Sequence, residues 1–137
     1  MGKPEQGFLF KLPNDIDKLM ILAAEIRELP KYKSLDRRSR YILDLAIEEM
    51  ASNIIKYGYD IPGERIIEIE INFGDKDVTL TLRDDGREFN PLEANLPSKG
   101  DVHERNIGGV GVYLVRRLVS SMEYRRENER NIVTLRI

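Results

Sequence analysis

The sequence predicts an α+β fold, a two-layer α/β sandwich with a mixed, mostly antiparallel sheet and helices on one face. Three observations lead there. Ile66–Phe73 alternates apolar and polar side chains, and a second alternating run of Val78, Leu80 and Leu82 follows across the turn-forming Gly74-Asp75-Lys76-Asp77. Two apolar stripes at helical spacing precede this pair. A glycine-opened helix and two more strands come after it. Helices grouped against mostly antiparallel strands bury their apolar faces in two layers.

Residues 7–12 (GFLFKL) read as a short strand ended by Pro13. Asn14 is the expected N-cap of the first helix, with Asp15 and Asp17 in its first turn. Its stripe is Ile16, Leu19, Met20, Ala23, Ile26 and Leu29, and Pro30 stops it. Ser34 or Asp36 caps a longer helix carrying Leu43, Ile47, Met50 and Ile54. That helix ends at Gly58 and the run Asp60-Ile61-Pro62-Gly63. After the strand pair, Asp84-Asp85-Gly86 opens a polar segment reaching Ile107, with at most a helical turn near residues 92–95; loops this long are often functional lids. Gly108-Gly109-Val110-Gly111 starts the third helix. Ser121–Glu127 and residues 132–137 close the sheet, with Asn128-Glu129-Arg130 at their turn.

The chain has 137 residues, which fits one domain over 1–137. Its 22 basic and 24 acidic side chains leave a net charge of -2, so the basic excess of a nucleic-acid binder is missing. With no cysteine there are no disulfides, thiolate metal sites or cysteine nucleophiles. The longest clean apolar run, residues 19–24, falls far short of the ~20 residues that span a bilayer, and the N-terminus lacks a signal-peptide core. A cytoplasmic protein without a membrane partner is the expectation.

Three features carry candidate chemistry. Glu49 and Asn53 are four apart on the long helix and so project from one face. A carboxylate beside a buried stripe can act as a base, and an amide oxygen one turn on can ligate Mg2+. Taken alone, the pair reads sooner as ordinary boundary polarity, the commoner case. Asp84 and Gly86 follow a strand directly; the carboxylate can accept from an amino group on a flat heterocycle, although Asp-Gly also makes plain turns. The cluster Gly108, Gly109, Val110 and Gly111 opens a helix, where free N–H groups suit phosphate, with Arg105 just upstream as a cation. A flexible hinge is the alternative there.

In combination these features are more specific. LAIEEMASNIIKYGY resembles the N box of the GHKL (Bergerat) ATPase superfamily, RDDGREFNPL its first glycine box, and ERNIGGVGVYLVRRLVSSMEY its second, in the form found in anti-sigma-factor serine kinases. The resemblance covers essentially the whole chain. It implies ATP and Mg2+ as ligands, Glu49 as general base, Asn53 as metal ligand, Asp84 as the adenine acceptor and Gly86 as the close turn beneath the base. It further implies that Gly108, Gly109, Val110 and Gly111 shape the phosphate site, with Arg105 near the terminal phosphate. The implied activity is transfer of the γ-phosphate to a serine of a STAS-domain anti-anti-sigma protein, together with sequestration of a sigma factor and homodimerisation with residues 7–12 as the pairing edge. The alternative is a nucleotide-gated binding module without kinase activity.

Three positions depart from the family pattern: Glu88 replaces a frequent glycine, Tyr57 a frequent histidine, and Asn131 a threonine on the adenine side. His103, the one histidine, reads as an exposed loop residue, Arg116-Arg117 as a solvated helix face, and the six tyrosines as packing residues.

Overall fold

The structure is a computed structural model that describes residues 6–94 and 109–137. Strand β1 (Gln6–Pro13) leads into helix α1 (Ile16–Arg27), the short α2 (Pro30–Lys33) and the long α3 (Arg37–Tyr57). Strands β2 (Ile66–Phe73) and β3 (Val78–Asp84) follow, then a 3₁₀ turn at Pro91–Glu93, helix α4 (Gly109–Leu118), and strands β4 (Ser121–Glu127) and β5 (Arg130–Arg136). The five strands lie in the order β1-β2-β3-β5-β4. The two-layer α+β sandwich is as expected. Every pairing among the described strands is antiparallel, so the sheet has no mixed character there.

Alternation sorts the strands into two faces. The inner face carries Ile67, Ile69, Ile71 and Phe73 of β2, Val78, Leu80 and Leu82 of β3, and Val133 and Leu135 of β5, all buried. Against them pack Leu19, Leu22 and Ile26 of α1, the Leu43, Ala46, Ile47 and Met50 stripe of α3, and Val112 and Val115 of α4. The outer face is polar. There Arg83 bridges Glu68 and Glu70, and Arg130 reaches Glu68 at 2.9 Å.

Several boundaries differ from expectation for local reasons. Asp15, not Asn14, caps α1, accepting from the Asp17 amide at 2.9 Å. Asn14 is occupied elsewhere: its side chain donates to the Gly63 carbonyl and accepts from the Arg65 amide, and its own amide donates to the Arg65 carbonyl. This three-bond clip ties the end of β1 to the start of β2. Met20 is 59% exposed and Ile16 also faces outward, while Leu22 faces the core, because α1 presents only the 19-22-26 stripe to the sheet. Pro30 does not merely end α1; it takes the first position of α2, where its missing N–H costs nothing. Asp36 rather than Ser34 caps α3, accepting from the Ser39 amide. β5 begins at Arg130, two residues early, because Asn128 and Glu129 both adopt positive φ and close a tight hairpin. Among the described residues no helix is long and apolar enough to cross a membrane.

The clip at Asn14 gives a direct test. Asn14→Ala leaves the Arg65 amide and the Gly63 carbonyl without their partner, and is expected to lower unfolding free energy by about 1–2 kcal/mol in urea denaturation. A loss within error of zero would mean that water replaces the clip at no cost.

Candidate functional site

At one end of the sheet the apolar rows of the inner face give way to a polar one. The register aligns Arg126 of β4, Asn131 of β5 and Asp84 of β3 across three neighbouring strands. Asp84 is 5% and Asn131 4% exposed. Buried polar groups need partners, and this row supplies them internally. Asp84 Oδ1 accepts from the Gly86 amide at 2.9 Å and from Asn131 Nδ2 at 3.1 Å. The other Asn131 N–H goes to the Arg87 carbonyl at 2.8 Å. Asn131 Oδ1 accepts from the Tyr124 hydroxyl at 2.7 Å, Arg126 Nη1 at 3.1 Å and the Phe89 amide at 3.3 Å. Three donors on one side and two acceptors on the other leave only one sensible orientation for this amide.

Burial pushes the Asp84 carboxyl above its ordinary value, and the nearby Asp85 charge adds to this. The bonds from Asn131 and Gly86 and the charge of Arg126 oppose the shift without cancelling it. Burial also raises the Tyr59 hydroxyl, helped by the charges of Asp84 and Asp85.

Asp84 opens onto a cavity of about 220 Å³ whose walls are mostly apolar: Met50, Ile54, Leu82, Phe89, Pro91 and Val133. Its other polar residues include Asn53, Tyr57, Glu88 and Asn131. Among the described residues no donor reaches Asp84 Oδ2. Asn53 Oδ1 is buried and has no hydrogen-bond partner, an uncompensated acceptor beside the cavity. Glu49 does not line the cavity. It lies one helical turn before Asn53, half-buried, with its carboxylate against Gly111 of α4. A Cβ at position 111 would lie 1.8 Å from a Glu49 carboxylate oxygen, so any larger residue there would require the Glu49 side chain to move. Gly109 and Val110 occupy the first two positions of α4. Arg105, Gly108 and His103 lie outside the described residues.

Gly86 sits behind Asp84 rather than in the cavity wall. A Cβ there would lie 2.5 Å from the Gly58 carbonyl oxygen at the end of α3. The next residue, Arg87, donates its amide to that same carbonyl at 2.8 Å, and its side chain donates to the Tyr57 carbonyl while pairing with Asp60. The loop after β3 is therefore sealed onto the C-terminus of α3. On α4, Arg116 donates to the Leu92 carbonyl and stacks over the Tyr113 ring at 5.4 Å. Arg116 thus contacts the Pro91–Glu93 turn from the solvent-facing side of α4, and Arg117 is exposed. Tyr124 is likewise a hydrogen-bond donor within the polar row and not only a packing residue. A signal for that row was present in the sequence: Asn131 stands two residues before Val133 and four before Leu135, in an inward register where an amide must be buried.

Two substitutions probe this architecture. Gly86→Ala forces a Cβ against backbone that cannot step aside, and is expected to cost about 1–3 kcal/mol in thermal or denaturant unfolding. A neutral change would show that the loop can move off α3. For Asp84, a raised folded pKa means that the native state holds the proton more tightly than the unfolded chain. Stability is then highest below the ordinary carboxyl value of 3.8 and falls as pH rises through the folded value. Asp84→Asn keeps the shape and both acceptor bonds but removes the charge. Its melting curves are expected to lack that loss and to match or exceed wild type at neutral pH. A parallel pH dependence in both proteins would overturn the assignment of the shift to Asp84.

Residues 12–137 match the family model described as the histidine kinase-like ATPase domain. The chain is also similar to the serine/threonine-protein kinase BtrW of Bordetella bronchiseptica, at 25% identity over 99 residues, which covers 72% of this chain and 70% of the relative. The match spans strands β2 to β5, the helices and the polar row, and the chain belongs to the histidine kinase-like ATPase domain family.

Proposed function

We propose that this protein binds ATP in the cavity beside Asp84, transfers its γ-phosphate to a serine of a STAS-domain anti-anti-sigma partner, and sequesters a sigma factor. The observation that carries the reading is the pair of acceptors at the apolar cavity, Asp84 Oδ2 and the orphaned Asn53 Oδ1, with Glu49 one helical turn before Asn53, outside the cavity and against the glycine-rich start of α4. The serine/threonine-kinase name of the Bordetella relative points the same way.

In this reading the purine lies between Met50, Ile54 and Val133, and the ionised Asp84 accepts from its exocyclic amino group. Asn53 Oδ1 is a hard oxygen donor without a partner, which suits Mg2+. Bound there, the cation would neutralise charge on the phosphate oxygens. Among the described residues no three acidic or histidine side chains converge on a metal, so its other ligands would be phosphate oxygens and water. The free amides at the start of α4 face the phosphates. Glu49 takes the proton of the attacking serine hydroxyl as the new serine O–P bond forms and the bond from the γ-phosphorus to the β,γ-bridging oxygen breaks, releasing ADP. Arg105 adds positive charge at the terminal phosphate. The free side of β1, an outer strand of the sheet, supports pairing with a second copy.

The test separates binding from transfer. Calorimetric titration of ATP with Mg2+ into wild type is expected to saturate, and Asp84→Asn, which turns an acceptor into a donor, is expected to lose that binding. With labelled ATP and a STAS-domain protein, wild type should yield phosphoserine. Glu49→Gln should still bind ATP but lose transfer by about 100-fold or more. Transfer that survives in Glu49→Gln rules out this base. Nucleotide-dependent capture of the partner without any phosphoserine would instead select a nucleotide-gated binding module.

A further inference from the structure

We propose that Asn131 sets the base specificity of the cavity, by leaving Asp84 a single free oxygen and so admitting a purine recognised through one amino group while rejecting guanine. The proposal rests on the nucleotide-binding reading above and assigns a specificity role that the reading itself does not contain.

A carboxylate can recognise a purine in two ways. With one oxygen it accepts from a lone exocyclic amine, as adenine presents at its 6-position. With both oxygens it accepts side by side from the ring N1–H and the 2-amino group of guanine. The second mode needs a free lone pair on each oxygen. Each carboxylate oxygen has two in-plane acceptor sites. On Asp84 Oδ1 both are taken, by the Gly86 amide at 2.9 Å and by Asn131 Nδ2 at 3.1 Å. Only Oδ2 is left to face the cavity.

Asn131 cannot relax this restriction by turning. Its second N–H is held by the Arg87 carbonyl at 2.8 Å, and its oxygen is held by Tyr124, Arg126 and the Phe89 amide. A flipped amide would point its NH2 group at three donors and its oxygen at two acceptors. Asn131 is therefore a saturated, immobile strut, with nothing left to offer the 6-carbonyl of guanine. That carbonyl would meet the bare Oδ2 lone pairs, acceptor against acceptor. The Gly86 amide fills its site from the backbone, so among the two bonds only the one from Asn131 is open to change by a side chain. Asn131 acts through Asp84 and is a positioning residue.

The experiment compares ATP and GTP binding by competitive displacement of a fluorescent ATP analogue, for wild type, Asn131→Ala and Asn131→Ser. Serine is too short to span to Asp84 as the amide does, and it keeps a polar group in the row if alanine fails to fold; circular dichroism and melting curves verify the fold of each variant. Wild type is expected to prefer ATP to GTP strongly, and to treat 2-aminoadenosine triphosphate like ATP and inosine triphosphate like GTP. Freeing a lone pair on Asp84 Oδ1 is expected to lower the ATP-to-GTP preference by about 10-fold or more, with GTP gaining relative to ATP. If Asn131 is only structural, both nucleotides weaken by a common factor and the ratio stays constant, which overturns the proposal. Wild type that binds ATP and GTP equally also overturns it but leaves the ATP site standing. Wild type that binds neither overturns the nucleotide reading itself.

Discussion

The rest of the site depends on burying one carboxylate at the end of a hydrophobic sheet face. A carboxylate taken out of water is costly unless donors surround it, and Asp84 is 5% exposed. The chain meets that cost with elements distant in sequence. Asn131 comes from β5, 47 residues away, and the Gly86 amide comes from the loop that follows. Arg126 and Tyr124 on β4 hold Asn131, while Arg87 and Gly58 hold the loop against α3. The donors on Asp84 are arranged on one oxygen, so the acid is supported from behind and remains an acceptor toward the cavity. Stability and recognition make opposite demands on this group. Its raised proton affinity marks how far the fold has gone to keep a reactive acceptor in an apolar wall.

A second constraint is the close approach of α3 and α4. Helices with ordinary side chains at the contact keep their axes 8–10 Å apart. Here Gly111 removes the intervening Cβ and lets the Glu49 carboxylate fill the space. A side chain at position 111 would therefore displace the Glu49 carboxylate from its present place. Arg116 adds a contact from α4 to the Pro91–Glu93 turn.

Much of this was legible in the sequence where a single periodicity dominates. The alternation of Ile66–Phe73 and the 43-47-50 stripe of α3 gave strand and helix with their correct faces. Residues whose roles depend on distant partners were not legible. Asn14 looks like a cap by composition, yet the strand entering at Arg65 claims it. Arg116 faces solvent beside Arg117, but its reach to the Leu92 carbonyl was not visible. The spacing of Glu49 and Asn53 put them on one face, but it could not show that Asn53 borders the cavity while Glu49 stands outside it against a glycine. Asn131 lay between these cases: its inward register was readable, whereas its five hydrogen bonds required knowing which strands flank it.

The strand order has a consequence for how the chain acquires its structure. β5, last of the described strands in the chain, lies between β3 and β4, and it alone joins the outer hairpin to the rest of the sheet. Until it arrives, the three-stranded piece made by β1, β2 and β3 has, besides the free side of β1, a second open border, formed by a strand with Leu80 and Leu82 on its inner face. An unsatisfied border of that kind is a template for pairing with other chains. During vectorial synthesis the nascent molecule must carry that exposed border for as long as it takes to make the remainder, and closing it requires a contact between segments far apart in the chain, a slow class of step. The arrangement that gives Asp84 its neighbour on β5 therefore makes the growing polypeptide most vulnerable to aggregation just before it is complete enough to bind anything.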